Sequence, residues 1–256
     1  MYGLVNAPRL WYRVIAGFLL ATSWKRHSQD PAVFMLYQDS VLVAVIALHV
    51  DDVLLGVKDL KIVQPLRDRF TWGAGSFENI NDVVFCGRRI VHEPGKRMII
   101  TQEAFCGAIE INRISKERRQ QATAPLSTSE LSELSSCIGS LNWVGNNSRP
   151  ALQATTSLLQ GGDKTVEMLN QAQLLLREVR DRPSEGLQLL YIDLDAAITL
   201  VHADGSFANA ANHKTQSGYL IYAAEVSTLT ADGGTANLID WRSHRLRRAA
   251  HCTLYV

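Results

Sequence analysis

The chain has 256 residues and a hydrophobic content of 46%, enough for one large or two ordinary domains, which excludes a disordered tail. Its 26 basic and 25 acidic residues nearly cancel, so bulk charge does not favour the strongly basic class of nucleic-acid-binding proteins. The four cysteines are scattered without a C-x-x-C pair, which favours reduced thiols in an intracellular protein over structural zinc. No apolar run reaches the roughly 20 residues of a membrane span.

Apolar periodicity divides the chain into strands and helices. In chain order it predicts a helix over 10–24, strands over 33–37, 41–49 and 53–57, a helix over 59–70, a hairpin over 83–91 and 98–100, helices over 101–114, 127–145, 149–160 and 163–181, and strands over 187–192, 198–203, 217–223 and 237–241. Ser127 and Glu130 have capping-box spacing, which indicates a helix start. The period changes near Gly186, so a domain boundary is expected over 181–186.

Asp51 and Asp52 are the sharpest chemical feature of the sequence. They follow an apolar strand and precede another, so both carboxylates are expected at a tight turn between strands. Phosphoryl transfer to a 3′-hydroxyl uses carboxylates that hold two magnesium ions, one beside the attacking oxygen and one beside the leaving oxygen. A solvated hairpin tip is the commoner interpretation of two such residues taken alone, because aspartate is frequent in turns.

Several longer motifs favour the catalytic interpretation. They are YGLVNAPRLWY (2–12), DPAVF (30–34), LHVDDVLLG (48–56), VVFCGRRI (83–90), ITQEAF (100–105) and CIGSLNWVGNNSRPALQATTSLLQ (137–160). In type, order and spacing they resemble the reverse transcriptase of copia-type retrotransposon Pol polyproteins. The resemblance implies RNA-directed DNA synthesis with Mg²⁺ or Mn²⁺, a primed RNA or DNA template and deoxynucleotides. The remainder of the Pol polyprotein is a further expected partner, and no membrane is implied.

The resemblance also implies roles for individual residues. Asp51 and Asp52 would be catalytic metal ligands. Residues under the templating base and incoming nucleotide would be Tyr2, Gly3, Asn6, Pro8 and Arg9. The primer-gripping hairpin would contain Phe85, Cys86 and Gly87.

The last part of the chain extends the resemblance to the beginning of an RNase H domain. The motifs are VHADGSFANAANHKTQSGYLIYAA (201–224) and IDWRSH (239–244). In that family the residue matching Asp204 is the first of four metal-binding acids that cut RNA in a hybrid. The resemblance therefore implies an α+β fold, with a partial polymerase palm over 1–110, a helical thumb and connection over 111–183, and the start of an RNase H-like domain over 184–256.

Some features depart from the family pattern. Val5 and Asn6 replace a Lys-Gln pair, and His49 replaces a tyrosine. A third polymerase carboxylate would lie upstream of Met1, and the second RNase H acid just beyond Val256. The chain alone is therefore expected to lack activity, either as a decayed element or as a segment of a longer active polyprotein. A domesticated nucleic-acid-binding protein without catalysis is the alternative.

Several side chains have two open interpretations. Trp11 and Tyr12 could stack on a base, although a helix this apolar favours a core position. Two clusters of basic residues could contact phosphates or form solvated surfaces. The first cluster is Arg113, Lys116, Arg118 and Arg119, and the second is Arg242, Arg245, Arg247 and Arg248.

Overall fold

The structure, a computed structural model, describes residues 5–73, 77, 81–210, 214–230 and 233–246. It contains 37% helix and 33% strand, in agreement with the predicted α+β class. The chain divides into two compact units, Met1–Cys86 and Gly87–Val256. In the described ranges, no helix is both long and apolar enough to cross a membrane.

The first unit is an antiparallel sheet with helices against it. Its elements are α1 (Ala7–Ala21), β1 (Lys25–Arg26), β2 (Val33–Gln38), β3 (Val41–His49), β4 (Asp52–Val57), a 3-10 turn (Leu60–Val63), α2 (Gln64–Arg69) and β5 (Asp82–Phe85). Strands β1 to β4 are hydrogen-bonded in chain order, each antiparallel to the next. The predicted helix over 10–24 begins three residues earlier, because Pro8 suits a first helical turn.

One face of this sheet forms the core of the first unit. Ile15 and Leu19 of α1, Phe34 of β2, Ile46 of β3 and Leu66 of α2 are at most 2% exposed. The apolar residues on β3 alternate with less buried ones, as a strand with one covered face requires. Burying each such side chain contributes about 1.5–3 kcal/mol before entropy costs.

Trp11 and Tyr12 pack against the same core, which supports the predicted core position. Both are half-buried against the core cluster. The Trp11 ring meets the Phe70 ring edge to face, with 5.3 Å between centroids. The Tyr12 hydroxyl donates a hydrogen bond of 2.7 Å to the Pro31 carbonyl oxygen.

The second unit combines two antiparallel sheets with a helical layer. Its elements are β6 (Arg88–Glu93), β7 (Arg97–Thr101), α3 (Glu103–Gly107), α4 (Lys116–Arg119), α5 (Thr128–Asn147), α6 (Leu152–Gly161), α7 (Val166–Asp181), β8 (Gly186–Leu190), β9 (Ile198–Ala210), β10 (Lys214–Ala224), a 3-10 turn (Val226–Leu229) and β11 (Ala236–Arg245). Strand β7 pairs with β6 and β8, and β10 pairs with β9 and β11.

Helices α5, α6 and α7 carry most of the core of this unit, in which Leu141, Val166 and Ala172 are fully buried. The capping box at the start of α5 is confirmed: the Ser127 hydroxyl accepts from the Glu130 amide, and the Glu130 carboxylate accepts from the Ser127 amide.

The helix predicted over 101–114 is wrong in length, since α3 ends at Gly107. Glycine and the β-branched residues that follow have low helix propensity. Ile109 and Ile114 instead reach the core from irregular chain, where each is 9% exposed.

A buried arginine joins the end of α7 to α6. Arg149, which is 7% exposed, donates to the carbonyl oxygens of Val179 at 3.3 Å, Glu185 at 3.0 Å and Arg182. Carbonyls at the end of a helix lack partners within it, and the guanidinium supplies donors in a fixed planar geometry. The end of α7 is therefore capped by a side chain that precedes α6 by only a few residues.

Candidate functional site

Asp51 and Asp52 lie at the tip of the hairpin between β3 and β4. His49 and Asp52 are the last paired residues, which leaves Val50 and Asp51 as a two-residue loop. Val50 has a φ of +54°. A positive φ at the first loop residue is the pattern of a type II′ turn, which normally takes glycine there. The predicted tight turn between two apolar strands is confirmed.

Valine is a poor residue for that conformation. Its branched Cβ crowds the backbone at positive φ, at a cost of about 1–3 kcal/mol. The side chain does not repay this cost by burial, because it is 52% exposed. Such strain concentrates at functional sites, where the surrounding structure enforces it. In this protein the strained residue, Val50, lies immediately before the two carboxylates.

Asp52 lies on the sheet face opposite the core. Directly paired residues of an antiparallel pair share one face. Leu48 and its partner Val53 contact the core, whereas His49 and its partner Asp52 are on the other side and are exposed. The first unit therefore presents carboxylate groups on a rigid, solvent-accessible platform supported from behind by packed helices.

Phe85, one of the predicted primer-gripping residues, lies beside this turn. Its ring meets the His49 ring edge to face, with centroids 6.4 Å apart and planes at 76°. The resemblance assigned Phe85 to the primer-gripping hairpin and the two aspartates to the metal site, and it predicted no contact between these regions. Within the first unit, Phe85 contacts His49, and His49 pairs with Asp52 across the turn.

The two carboxylates suit a hard divalent cation, because Mg²⁺ and Mn²⁺ prefer carboxylate oxygens and retain several waters. Both side chains are exposed, so water can complete the coordination. Within the described residues, no group of three or more His, Cys, Asp or Glu side chains could hold a metal. Asp51 and Asp52 would thus supply two protein ligands, and a further carboxylate would be needed to bridge two ions.

The other predicted nucleotide-contacting residues surround the start of α1. Asn6 is the N-cap residue without a side-chain capping bond, and Pro8 and Arg9 follow in the first turn. All three are exposed. Tyr2 and Gly3 lie outside the described residues.

Cys86 and Gly87 connect β5 to the second unit. Their φ angles are +51° and +72°, so both adopt the left-handed conformation. Successive residues of this kind form type I′ turns, in which glycine at the second position is common. The sequence thus places a glycine where the backbone needs one.

Asp204 lies on β9 in the second unit. Its Cα is paired with Gly218 of β10, and its carboxylate accepts a 2.7 Å hydrogen bond from the Gly205 amide. It shares a sheet face with Trp241, whose indole N–H donates to the Gly145 carbonyl at 2.8 Å. Asp204 is itself exposed.

Two of the basic residues considered for phosphate contacts have structural partners. Arg118 forms a 2.8 Å ion pair with Glu130 and donates to Gln121 and to the Pro125 carbonyl. Arg245 donates to the Gly161 carbonyl at 3.1 Å. Arg247 and Arg248 lie outside the described part of the chain.

A buried polar connection between the residue after β7 and the end of α5 could not be predicted from the sequence. Gln102, which is 1% exposed, accepts a 2.8 Å hydrogen bond from the Ser148 hydroxyl and donates to the Trp143 carbonyl at 3.5 Å. The residues are more than 40 positions apart, and neither polar side chain is distinctive in sequence. In the sequence, Gln102 stood out only as a member of the ITQEAF motif.

The chain is similar to the retrovirus-related Pol polyprotein from transposon TNT 1-94 of Nicotiana tabacum. The two are 25% identical over 129 residues, which is 50% of this chain and 9% of that protein. The similarity supports a relation to retrotransposon Pol proteins. No protein-family profile and no solved structure matches the chain.

Proposed function

We propose that the chain is part of a retrotransposon RNA-directed DNA polymerase, with Asp51 and Asp52 as metal ligands of the nucleotidyl-transfer site. The observation that carries the proposal is the pair of exposed carboxylates at a strained two-residue turn, supported by a packed sheet. The partial similarity to a transposon Pol polyprotein supports the same assignment.

In this proposal the first unit is the palm. Mg²⁺ or Mn²⁺ bound by Asp51 and Asp52 would supply charge stabilisation at the transferred phosphoryl group. Asn6, Pro8 and Arg9 would contact the template and incoming nucleotide, and Phe85, Cys86 and Gly87 would hold the primer end. The α5–α7 layer would serve as thumb and connection, and β9 to β11 as the first strands of an RNase H-like sheet containing Asp204.

Metal binding provides the direct test, because it does not require a complete catalytic site. We expect Asp51→Asn and Asp52→Asn each to weaken Mn²⁺ binding about fivefold or more, since each removes one anionic ligand. Free Mn²⁺ measured by electron paramagnetic resonance gives the affinity. Asp39→Asn is the matched control: Asp39 lies in the other hairpin turn of the same sheet, also at positive φ, and asparagine tolerates that conformation.

The proposed site would be contradicted if the wild type and both site variants bound Mn²⁺ with equal affinity. It would also be contradicted if Asp39→Asn lost as much Mn²⁺ affinity as the site variants do. Primer extension on an RNA template provides the second measurement, although the chain alone is expected to show no activity. Any deoxynucleotide incorporation that survives the double substitution of Asp51 and Asp52 by asparagine would contradict the assignment of the polymerase ligands. For an RNA–DNA hybrid, cleavage that Asp204→Asn abolishes would contradict the expectation that the chain alone lacks RNase H activity.

A further inference from the structure

A cleft of about 290 Å³ opens within the second unit, away from Asp51 and Asp52. It lies between β6, β8, β11 and the end of α5, and we call it the Arg88 cleft. Its polar lining includes Arg88, Asn146 and Asn147, and its apolar lining includes Leu187, Leu189 and Trp241. Its volume is at the lower limit of the roughly 300–1,000 Å³ of pockets that bind small molecules.

Arg88 provides a cation without a partner in the described residues. The side chain is half-buried, and its buried Nε has no hydrogen-bond acceptor in the part of the chain that the structure describes. The next residue differs, because Arg89 is exposed and forms a 3.1 Å ion pair with Glu103. Burial of an unpaired guanidinium is costly unless an anion or another acceptor compensates for the lost water. The lining thus favours an anionic ligand.

The two asparagines of the lining have amide groups without a further hydrogen-bond partner in the described residues. The Asn146 side-chain oxygen accepts from Gln153, and its NH₂ group has no acceptor there. The Asn147 NH₂ donates a 2.7 Å bond to the Trp143 carbonyl, and its side-chain oxygen has no donor there. Amide donors and acceptors are the groups that pair with the hydrogen-bonding edge of a nucleobase.

Trp241 adds a fixed planar surface. Its indole N–H is bound to the Gly145 carbonyl at 2.8 Å, so the ring orientation is constrained. Leu187 and Leu189 make the neighbouring wall apolar. An aromatic ring and apolar side chains in the lining of one cleft suit a stacked base, an interaction worth about 1–3 kcal/mol per base in single-strand binding.

The charges in the cleft indicate how much anionic charge it can accept. Asp240 also lines it, and this carboxylate already accepts from the Trp241 amide at 2.8 Å and the Tyr219 hydroxyl at 3.2 Å. Arg88 and Asp240 together contribute no net formal charge. A phosphodiester with one negative charge therefore fits better than a polyphosphate, which Asp240 would repel.

We propose that the Arg88 cleft binds one phosphate-bearing nucleotide unit of a single-stranded nucleic acid. Arg88 binds the phosphate, Asn146 and Asn147 contact the base edge, and Trp241 stacks on the base. The inference goes beyond the proposed polymerase site and does not rest on it, because it requires neither metal nor any residue of the first unit.

The test measures binding to the full chain without metal. A fluorescein-labelled oligothymidylate is titrated by anisotropy, and thymidine 5′-monophosphate and inorganic phosphate are titrated by calorimetry. We expect Arg88→Gln to weaken oligonucleotide binding about tenfold, the effect of losing a charged hydrogen bond. The salt dependence should decrease by about one phosphate contact. Arg89→Gln makes the same charge change one residue away and should alter the affinity less than about twofold.

A second variant keeps the test decisive if Arg88→Gln does not fold. Asn146→Asp is nearly isosteric, keeps the oxygen that accepts from Gln153, and replaces the NH₂ group with negative charge in the cleft, so we expect a similar loss of affinity. The proposal would be overturned by equal effects of the Arg88 and Arg89 substitutions, by unchanged binding in Asn146→Asp, or by no saturable binding of any probe. Tighter binding of the monophosphate than of the oligonucleotide would overturn the assignment to a nucleic-acid strand and identify a free nucleotide as the ligand.

Discussion

The ring of His49 lies edge to face against the ring of Phe85, with 6.4 Å between their centroids. His49 is the residue of β3 that pairs with Asp52 across the turn. Phe85 ends β5, just before Cys86 and Gly87. Through this contact, the strand that positions the carboxylates and the strand that leads to the predicted primer grip support each other within the first unit.

The contact predicts an energetic coupling between His49 and Phe85. We expect His49→Ala and Phe85→Ala to be non-additive by about 0.5–1 kcal/mol in free energy of unfolding, the usual range for an aromatic pair beyond its buried area. Urea denaturation of the wild type, both single variants and the double variant gives this coupling. Additive effects would show that the two rings are neighbours without mutual stabilisation.

The strained turn predicts that one substitution stabilises the protein. Val50→Gly removes the steric cost of a branched residue at a φ of +54° and adds some unfolded-state entropy. We expect the free energy of unfolding to rise by about 1 kcal/mol. We also expect weaker Mn²⁺ binding, because the backbone before Asp51 becomes less restricted.

Val45→Gly is the matched control for this prediction. Val45 lies on the same strand, in extended backbone, and pairs with Gly56. The substitution there should lower the free energy of unfolding by about 1 kcal/mol, through lost packing and greater unfolded-state entropy. If Val50→Gly destabilised the protein as much as the control does, the turn would not be strained.

The sequence predicted the elements that depend on local chemistry. The Asp51-Asp52 turn follows from two apolar strands that leave no room for a longer loop, and the start of α5 follows from Ser127 and Glu130. Helix α3 was predicted too long, because apolar spacing continues through Ile114 although Gly107 ends the helix. Periodicity reports which residues are buried, and irregular chain can bury the same residues.

Features that depend on distant contacts could not be predicted. Arg88 and Arg89 are adjacent and chemically identical, yet among the residues that the structure describes only Arg89 has an ion-pair partner, Glu103. Nothing local separates them, since the difference comes from the sheet face on which each lies and from the elements packed there. The strain at Val50 was hidden for a related reason, because a turn residue's φ depends on how the flanking strands pair.

Glu130 predicts a loss of stability in acid. Its pKa is lowered from 4.5 to about 2, first by the Arg118 guanidinium and then by the Ser127 amide. Because the folded pKa lies below the unfolded one, this stabilisation is complete above about pH 5.5 and is lost as the pH falls toward 2. We expect it to amount to about 1–2 kcal/mol, reduced from the full linkage value by the remaining solvent exposure of both side chains.

Urea denaturation between pH 2 and pH 7 measures this contribution. Arg118→Gln should flatten the pH dependence, because the larger cause of the lowered pKa is removed. Glu130→Gln should flatten it as well and should lower stability at pH 7, since the capping carboxylate is also lost. An unchanged slope in both variants would assign the acid sensitivity to other groups.

A buried amide in α7 predicts a second stabilising substitution. Gln173 is 1% exposed, and neither polar atom of its side chain has a hydrogen-bond partner within the described part of the protein. Leaving such groups buried costs about 1–3 kcal/mol, whereas methionine has a similar shape and no such requirement. We expect Gln173→Met to raise the free energy of unfolding by about 1–2 kcal/mol.

Gln171→Met, at an exposed position of the same helix, is the control and should change the free energy of unfolding by less than about 0.5 kcal/mol. A loss of stability in Gln173→Met would instead indicate that the amide binds a buried water whose hydrogen bonds methionine cannot replace.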